Sequence, residues 1–205
     1  MTCSHFRPIP SGHRLGAQTA PVVLEAYLDY ACPFSRRFFE RYTKEVVPFL
    51  EKHYSNQVQL IFRHQVQPWH PQSAVLHEAA LAVERINQTA FYSFSAILFE
   101  KQEEYFDTAV HALSRGQLHQ SLAQLASGVG VDPDAVTQQL ALDTKTGNNT
   151  GTSVTNELKL HIKLGRQQGI HASPTVLYNG LVDNSISSAW TLEQWMEFFA
   201  GKLEA

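Results

Sequence analysis

One strand–helix–strand pattern near the beginning of the chain constrains the fold more than any other feature. Residues 21–30 are apolar on both alternating faces and rich in β-branched and aromatic side chains, which is typical of a strand buried in the middle of a sheet. Cys32 and Pro33 follow at once, and residues 34–54 then repeat apolar side chains at helical spacing. Residues 57–64 are predicted to form the next strand. Such a unit is almost always parallel and right-handed, so the pattern predicts an α/β protein.

The rest of the chain divides into a long helical block and a short return to β structure. Residues 73–169 carry helical patterns almost throughout. Two short apolar runs then flank Asn179-Gly180, which is the strongest short signal for a β-hairpin. Residues 191–202 are predicted to close the chain as a helix. Pro48 is expected to kink or restart the first long helix, because proline lacks a backbone N–H and clashes with the preceding turn.

Charge and cysteine content limit the kinds of partner. The formal net charge is −3 and the basic residues are scattered, so nothing favours nucleic acid or a membrane as a partner. No apolar run in the sequence is long enough to span a bilayer. The first residues lack the apolar segment of a secretory signal, and Cys3 and Cys32 are the only cysteines. We therefore expect a cytoplasmic protein without a disulfide framework, of undetermined oligomeric state.

Cys32 is the main candidate for chemistry. At the start of a helix it would face unpaired backbone N–H groups and the positive end of the helix dipole, which favour the thiolate, the nucleophilic form. Ser35 follows one turn later and is expected to donate its hydroxyl to the same sulfur. The alternative is a buried, unreactive cysteine, since free cysteine also packs as a small apolar side chain. Cys3 is a further candidate partner for Cys32, within the strict geometric limits of a disulfide.

The histidines give a weaker signal than the cysteine. Ten are present, and His64, His70 and His77 fall close together in sequence. They lie on different predicted elements, without the short ligand spacing of a structural zinc site and without a second cysteine nearby. We therefore predict no metal site.

The order of elements and four sequence segments resemble a known family. The segments are DYACPFSRRFFE, LIFRHQVQPWHPQS, AFYSFSAILFEKQ and GIHASPTVLYNG. With the order βαβ, helical block, ββα, they resemble the thioredoxin fold, and the inserted block is similar to that of the DsbA-like family. The resemblance covers roughly residues 18–200. It implies a thioredoxin-like core (21–72 and 170–205), an inserted helical subdomain (73–169) and an N-terminal arm (1–20).

The resemblance implies catalytic roles for two residues. In this family the first cysteine of a Cys-x-x-Cys motif attacks a disulfide, and the second resolves the resulting mixed disulfide. Cys32 is therefore the implied attacking thiol, and Ser35 stands where the resolving thiol would be. The family's acidic proton-transfer residue falls on Ala26, and the neighbouring Glu25 is shifted to the other face of the strand.

The resemblance also implies a groove that binds an extended substrate. Its proline is cis and faces the cysteine, so the bond between Ser173 and Pro174 is expected to be cis. The backbone of the residue before that proline binds the substrate. The implied substrate-binding residues are Pro33, Phe34, Trp69, His70, Ser173, Pro174 and Thr175.

Three functions remain open from the sequence. The first is a monothiol enzyme of the thiol–disulfide oxidoreductase type, acting through Cys32 on a thiol or disulfide, with no bound cofactor and with glutathione as candidate co-substrate. The second is a glutathione-dependent transferase or isomerase of the kappa-like type, a group that carries serine at the cysteine's position. The third is a non-catalytic module that binds a peptide or ligand through a degenerate active site.

Overall fold

The fold is built on one mixed sheet. The computed structural model describes residues 12–142, 144, 147 and 149–204. The strands are β1 (His13–Leu15), β2 (Val22–Leu28), β3 (Val58–His64), β4 (Thr175–Tyr178) and β5 (Leu181–Val182). They lie in the order β1-β3-β2-β4-β5, with β2 and β3 parallel and the other neighbouring pairs antiparallel. The predicted βαβ unit and the later ββα unit are both confirmed.

Within the described residues, nine α-helices accompany the sheet. They are α1 (Pro33–Arg41), α2 (Val47–His53), α3 (Ser73–Ile86), α4 (Phe91–Glu100), α5 (Asp107–Val110), α6 (Arg115–Leu125), α7 (Pro133–Leu140), α8 (Thr155–Gln167) and α9 (Leu192–Leu203). Helices α3 to α8 form the predicted helical block between the two halves of the sheet. None of the helices in the described part of the chain is both long and apolar enough to cross a membrane.

The position of β2 follows from its sequence. It lies at the centre of the sheet, and its residues Leu24, Ala26 and Leu28 are fully buried, as its two apolar faces predict. One continuous apolar core joins these strand residues to buried side chains of the helical block, such as Ala79 and Phe94. The sheet and the helical block are therefore stabilised by the same buried surface.

Pro48 changes the first long helix as expected. A π-helical turn, Tyr42–Val46, separates α1 from α2, and Pro48 is the second residue of α2. The π turn ends two residues before Pro48, which lacks the backbone N–H that an uninterrupted α-helix would use at that position.

The predicted N-terminal arm is partly a strand of the sheet. Residues 13–15 form β1, which pairs antiparallel with β3 and places His13 opposite Phe62. Residues 1–11 lie outside the described residues, so the proposed partnership of Cys3 with Cys32 stays a prediction.

The turn of the predicted hairpin is hydrogen-bonded to the central strand β2. Asn179 and Gly180 have φ values of 47° and 84°, the conformation of a two-residue hairpin turn with positive φ at both positions. The Asn179 side-chain oxygen accepts a hydrogen bond from the N–H of Val23 at 2.7 Å, and the Asn179 N–H donates to the Val23 carbonyl at 2.8 Å. The turn therefore holds the end of β4 against the central strand.

Candidate active site

Cys32 lies where the sequence places it, between the central strand and the first helix. It is the N-cap residue of α1, with extended backbone angles, and Pro33 occupies the first helical position. Its N–H donates to the carbonyl of Asp29 at 3.1 Å, and its carbonyl accepts from the N–H of Arg36 at 3.1 Å. These bonds fix the backbone of Cys32 at the helix N-terminus, beside the first turn's unpaired N–H groups.

The loop before β4 reaches this sulfur. The Ser173-Pro174 peptide bond is cis, which confirms the expected geometry. The Cys32 Sγ donates a hydrogen bond to the Ser173 carbonyl at 3.3 Å, and Cys32 is 7% exposed. Thr175 begins β4 opposite Tyr27, and its hydroxyl donates to the Ala172 carbonyl at 2.8 Å, which closes the loop. The structure thus brings Cys32 and Ser173-Pro174 together from opposite ends of the chain.

Ser35 is placed differently from the expectation. It is fully buried, and its hydroxyl oxygen accepts a hydrogen bond from the backbone N–H of Asp29 at 3.2 Å. Within the part of the chain that the structure describes, no hydrogen bond joins Ser35 to Cys32. The prediction that Ser35 donates to the sulfur is therefore wrong, because the hydroxyl faces the backbone at the end of β2.

Asp29 is a buried residue of the site that the sequence analysis missed. It is 0% exposed, and its carboxylate accepts three hydrogen bonds from three different segments. The donors are the N–H of Ala31 at 2.8 Å, the N–H of Gln67 at 2.9 Å and the hydroxyl of Ser73 at 2.7 Å. Asp29 therefore ties together the Cys32 loop, the loop after β3 and the start of α3.

The charge of Asp29 is stabilised in spite of its burial. Burial by itself raises the pKa of a carboxyl, but the imidazole of His77 and the hydrogen bonds from Ser73 and Ala31 outweigh it and lower the pKa of Asp29 below its ordinary value. His77 Nε2 lies 3.8 Å from Asp29 Oδ1. An ionised Asp29 is the state that can accept all three hydrogen bonds. The sequence signal was an acidic residue at the carboxyl end of a parallel strand, three residues before the cysteine.

Glu25, the acidic residue within β2, forms an ion pair within the sheet. Glu25 pairs with Arg63 of the neighbouring strand, with a nitrogen–oxygen distance of 2.7 Å. Ala26, which stands at the family's acidic position, is fully buried. Asp29 is thus the buried carboxylate that contacts the Cys32 loop directly.

The predicted substrate-binding residues form an exposed surface around these loops. Phe34 is 55% exposed and Trp69 is 61% exposed, and Pro33 is exposed next to Phe34. His70 is half-buried and packs edge-on against Trp69, with ring centroids 6.3 Å apart. Among the described residues, no hydrogen bond or ring contact joins Trp69 or His70 to Cys32. The loop that carries them is linked to the loop before β4 through Gln67, whose side chain donates to the His171 carbonyl at 3.4 Å.

Several solved structures are similar to this chain over most of their length. A protein from Pseudomonas syringae superposes with a TM-score of 0.72 at 22% identity, over 92% of this chain and 97% of that one. Oxidised BdbD from Bacillus subtilis gives a TM-score of 0.71 at 22% identity, over 97% and 96%. MdbA, a thiol-disulfide oxidoreductase from Actinomyces oris, gives a TM-score of 0.66 at 18% identity, over 92% and 84%. These likenesses confirm the predicted fold class.

Sequence comparison agrees with the fold. No curated protein matches the chain significantly. A family model described as thioredoxin matches residues 9–198, which include both halves of the sheet, the inserted helices and the loops around Cys32. This chain therefore belongs to the thioredoxin family.

Proposed function

We propose that this protein carries out thiol–disulfide exchange with Cys32 as its single attacking thiol. The observation that carries the proposal is the contact between Cys32 Sγ and the Ser173 carbonyl, 3.3 Å apart, beside a cis Pro174. The thiol thus lies at a helix N-terminus and beside the loop that leads into β4, two features that suit a nucleophile and a peptide-like substrate. Ser35, in place of a second cysteine, leaves one thiol on this turn.

The reaction has two exchange steps. The Cys32 thiolate attacks one sulfur of a substrate disulfide, a new sulfur–sulfur bond forms, and the other substrate sulfur leaves as a thiolate. The helix N-terminus stabilises the negative charge on the attacking sulfur. A second thiol, which we propose is glutathione, then attacks the mixed disulfide and releases Cys32. Ser35 cannot take this role, because a hydroxyl does not displace a thiolate from a disulfide.

The surrounding residues suit the binding of an extended substrate. Ser173, Pro174 and Thr175 are half-buried, so each keeps part of its surface accessible to a substrate. The exposed rings of Phe34 and Trp69 offer apolar surface that is otherwise in contact with water. We propose that these residues, with Pro33 and His70, contact the substrate on either side of its disulfide. A reducing compartment such as the cytoplasm suits this chemistry, because it keeps Cys32 reduced.

Oxidised glutathione tests the proposal. The protein is prepared with Cys3→Ser, so that Cys32 is its only thiol, and is incubated with excess oxidised glutathione before intact-mass analysis. We expect one glutathionyl group per chain, removed by dithiothreitol and absent from the matched Cys3→Ser/Cys32→Ser protein. Glutathione binding without a covalent adduct would favour the transferase or isomerase hypothesis instead. If the protein neither forms the glutathionyl adduct nor binds glutathione, the binding-module hypothesis would be favoured.

A further inference from the structure

Four buried histidines cluster next to Asp29. His13 lies on β1, His64 ends β3, His77 lies on α3 and His161 on α8. All four are at most 5% exposed. The ring centroid of His64 lies 4.7 Å from that of His13, 4.8 Å from that of His77 and 4.8 Å from that of His161. The exchange reaction proposed for Cys32 uses none of these rings.

Each of the four rings has a buried nitrogen without a hydrogen-bond partner among the described residues: His13 Nε2, His64 Nε2, His77 Nε2 and His161 Nδ1. His77 Nε2 lies 3.8 Å from Asp29 Oδ1. His13, His64 and His161 can each offer one ring nitrogen as a ligand, and these ligand atoms lie within 4.8 Å of one another. Buried polar atoms almost always have a partner. Three that meet from separate elements therefore indicate a ligand shared by all of them.

The opposite nitrogens of two rings are held by hydrogen bonds. His13 Nδ1 lies 2.6 Å from Glu84 Oε1, and His64 Nδ1 lies 2.5 Å from His77 Nδ1. A histidine that donates its Nδ1–H to a carboxylate keeps the lone pair of its other nitrogen free, which is the usual arrangement of a metal-binding histidine. His13 and Glu84 have this arrangement.

The ring of His13 also packs against a phenylalanine. Phe91 stacks on His13 with ring centroids 3.6 Å apart.

We propose that His13, His64 and His161 together bind one divalent transition-metal cation of the Zn²⁺ class. Imidazole nitrogen is a preferred ligand of such cations, and three histidines leave a fourth position for water. Zinc–nitrogen bonds of about 2.0 Å bring ligand nitrogens to roughly 3.3 Å from one another, so binding draws the three rings inward. Glu84 supplies a negative charge one imidazole away from the ion. The ion would join β1, β3 and α8 and so stabilise the fold.

The sequence prediction of no metal site rested on a different set of histidines. His64, His70 and His77 are close in sequence, but His70 lies beside Trp69 on the loop around the active site. The residues that meet His64 in space come from positions 13 and 161, which no local spacing could reveal.

Cobalt and zinc titrations test this site. The full-length chain carries Cys3→Ser and Cys32→Ser, which removes thiol ligands, and is freed of metal with a chelator. We expect one Co²⁺ per chain, with the visible absorption of a four-coordinate site, displaced by Zn²⁺. Zn²⁺ should also raise the melting temperature of this protein.

Single substitutions locate the ion. His161→Gln and His13→Gln should each weaken Co²⁺ binding by about a hundredfold or more, and Glu84→Gln by about ten- to a hundredfold. His119→Gln is the matched control, because His119 is also buried but lies on α6, away from the cluster. It should bind Co²⁺ as tightly as the parent protein. Far-UV circular dichroism verifies that each variant is folded.

Two results would overturn the proposal. One is the absence of a one-to-one complex with Co²⁺ or Zn²⁺ at micromolar concentrations in the parent protein, with no rise in its melting temperature. The other is unchanged binding in both His161→Gln and His13→Gln. Neither result bears on the exchange chemistry of Cys32, which the glutathione experiment tests separately.

Discussion

Replacing Ser35 with cysteine should give this protein the ability to reduce protein disulfides catalytically. We expect the wild-type chain to leave dithiothreitol-driven insulin reduction at its background rate, and Ser35→Cys to raise the rate about tenfold or more. The reason is that a thiol at position 35, one turn after Cys32, can displace a substrate from the mixed disulfide. Serine and cysteine are similar in size, so the buried position changes little in volume. Insulin turbidity against time gives the rates.

Ser35→Ala is the matched control for this experiment. It also removes the hydroxyl that accepts from the Asp29 N–H, but it adds no thiol, so its rate should stay at background. The Ser35→Cys protein should also form an internal Cys-x-x-Cys disulfide, which alkylation and intact mass detect. Neither a disulfide nor a gain in rate would mean that the redox geometry has been lost, and the transferase or binding-module hypothesis would then take precedence.

Replacing Asp29 with alanine should lower the free energy of unfolding by about 3 kcal/mol or more. The substitution leaves the N–H groups of Ala31 and Gln67 and the Ser73 hydroxyl without their acceptor in a buried site. Each unsatisfied buried donor costs about 1–3 kcal/mol. Urea unfolding at pH 7, followed by circular dichroism, measures the change.

Asp183→Ala is the surface counterpart of this substitution. Asp183 accepts hydrogen bonds from the N–H and hydroxyl of Ser185 near the surface, where water can replace the lost acceptor. Its removal should cost less than about 1 kcal/mol. Equal losses for Asp29→Ala and Asp183→Ala would show that the buried carboxylate does not organise the active-site loops.

The lowered pKa of Asp29 also predicts the sign of a pH effect. A carboxyl whose pKa is lower in the folded state contributes stability above its unfolded-state pKa, and that contribution is lost as pH falls through the folded-state pKa. The amide side chain of the Asp29→Asn variant cannot ionise, so this variant lacks the pH-dependent contribution of Asp29 to stability. The wild-type protein should therefore lose more stability than Asp29→Asn between neutral and acidic pH.

The features of the fold that can be predicted from the sequence are those that depend on residues close together in the chain. The central position of β2 follows from its two apolar faces. The hairpin follows from Asn179-Gly180, because these two residues readily adopt the positive φ angles that a two-residue turn requires. The placement of Cys32 at a helix N-terminus likewise depends on its immediate neighbours.

The parts that sequence reasoning missed depend on segments that are distant in the chain. Two partners of Asp29, Gln67 and Ser73, are 38 and 44 residues away. His13 and His161 meet only because β1 and α8 both pack against β3. The direction of the Ser35 hydroxyl depends on the backbone at the end of β2, which the helical pattern of residues 34–54 does not describe.

The persistence of a mixed disulfide tests the central claim most directly. The Cys3→Ser protein is mixed with an excess of the disulfide dimer of a small single-cysteine peptide, so that the leaving thiol is a separate molecule, then freed of all peptide not covalently attached and followed by intact mass without added thiol. We predict one peptide per chain, attached to Cys32 and stable over time, whereas the protein that also carries Ser35→Cys releases the peptide as its own disulfide forms. A chain that gains no peptide at Cys32, or that releases it while Ser35 is still present, would contradict a monothiol mechanism.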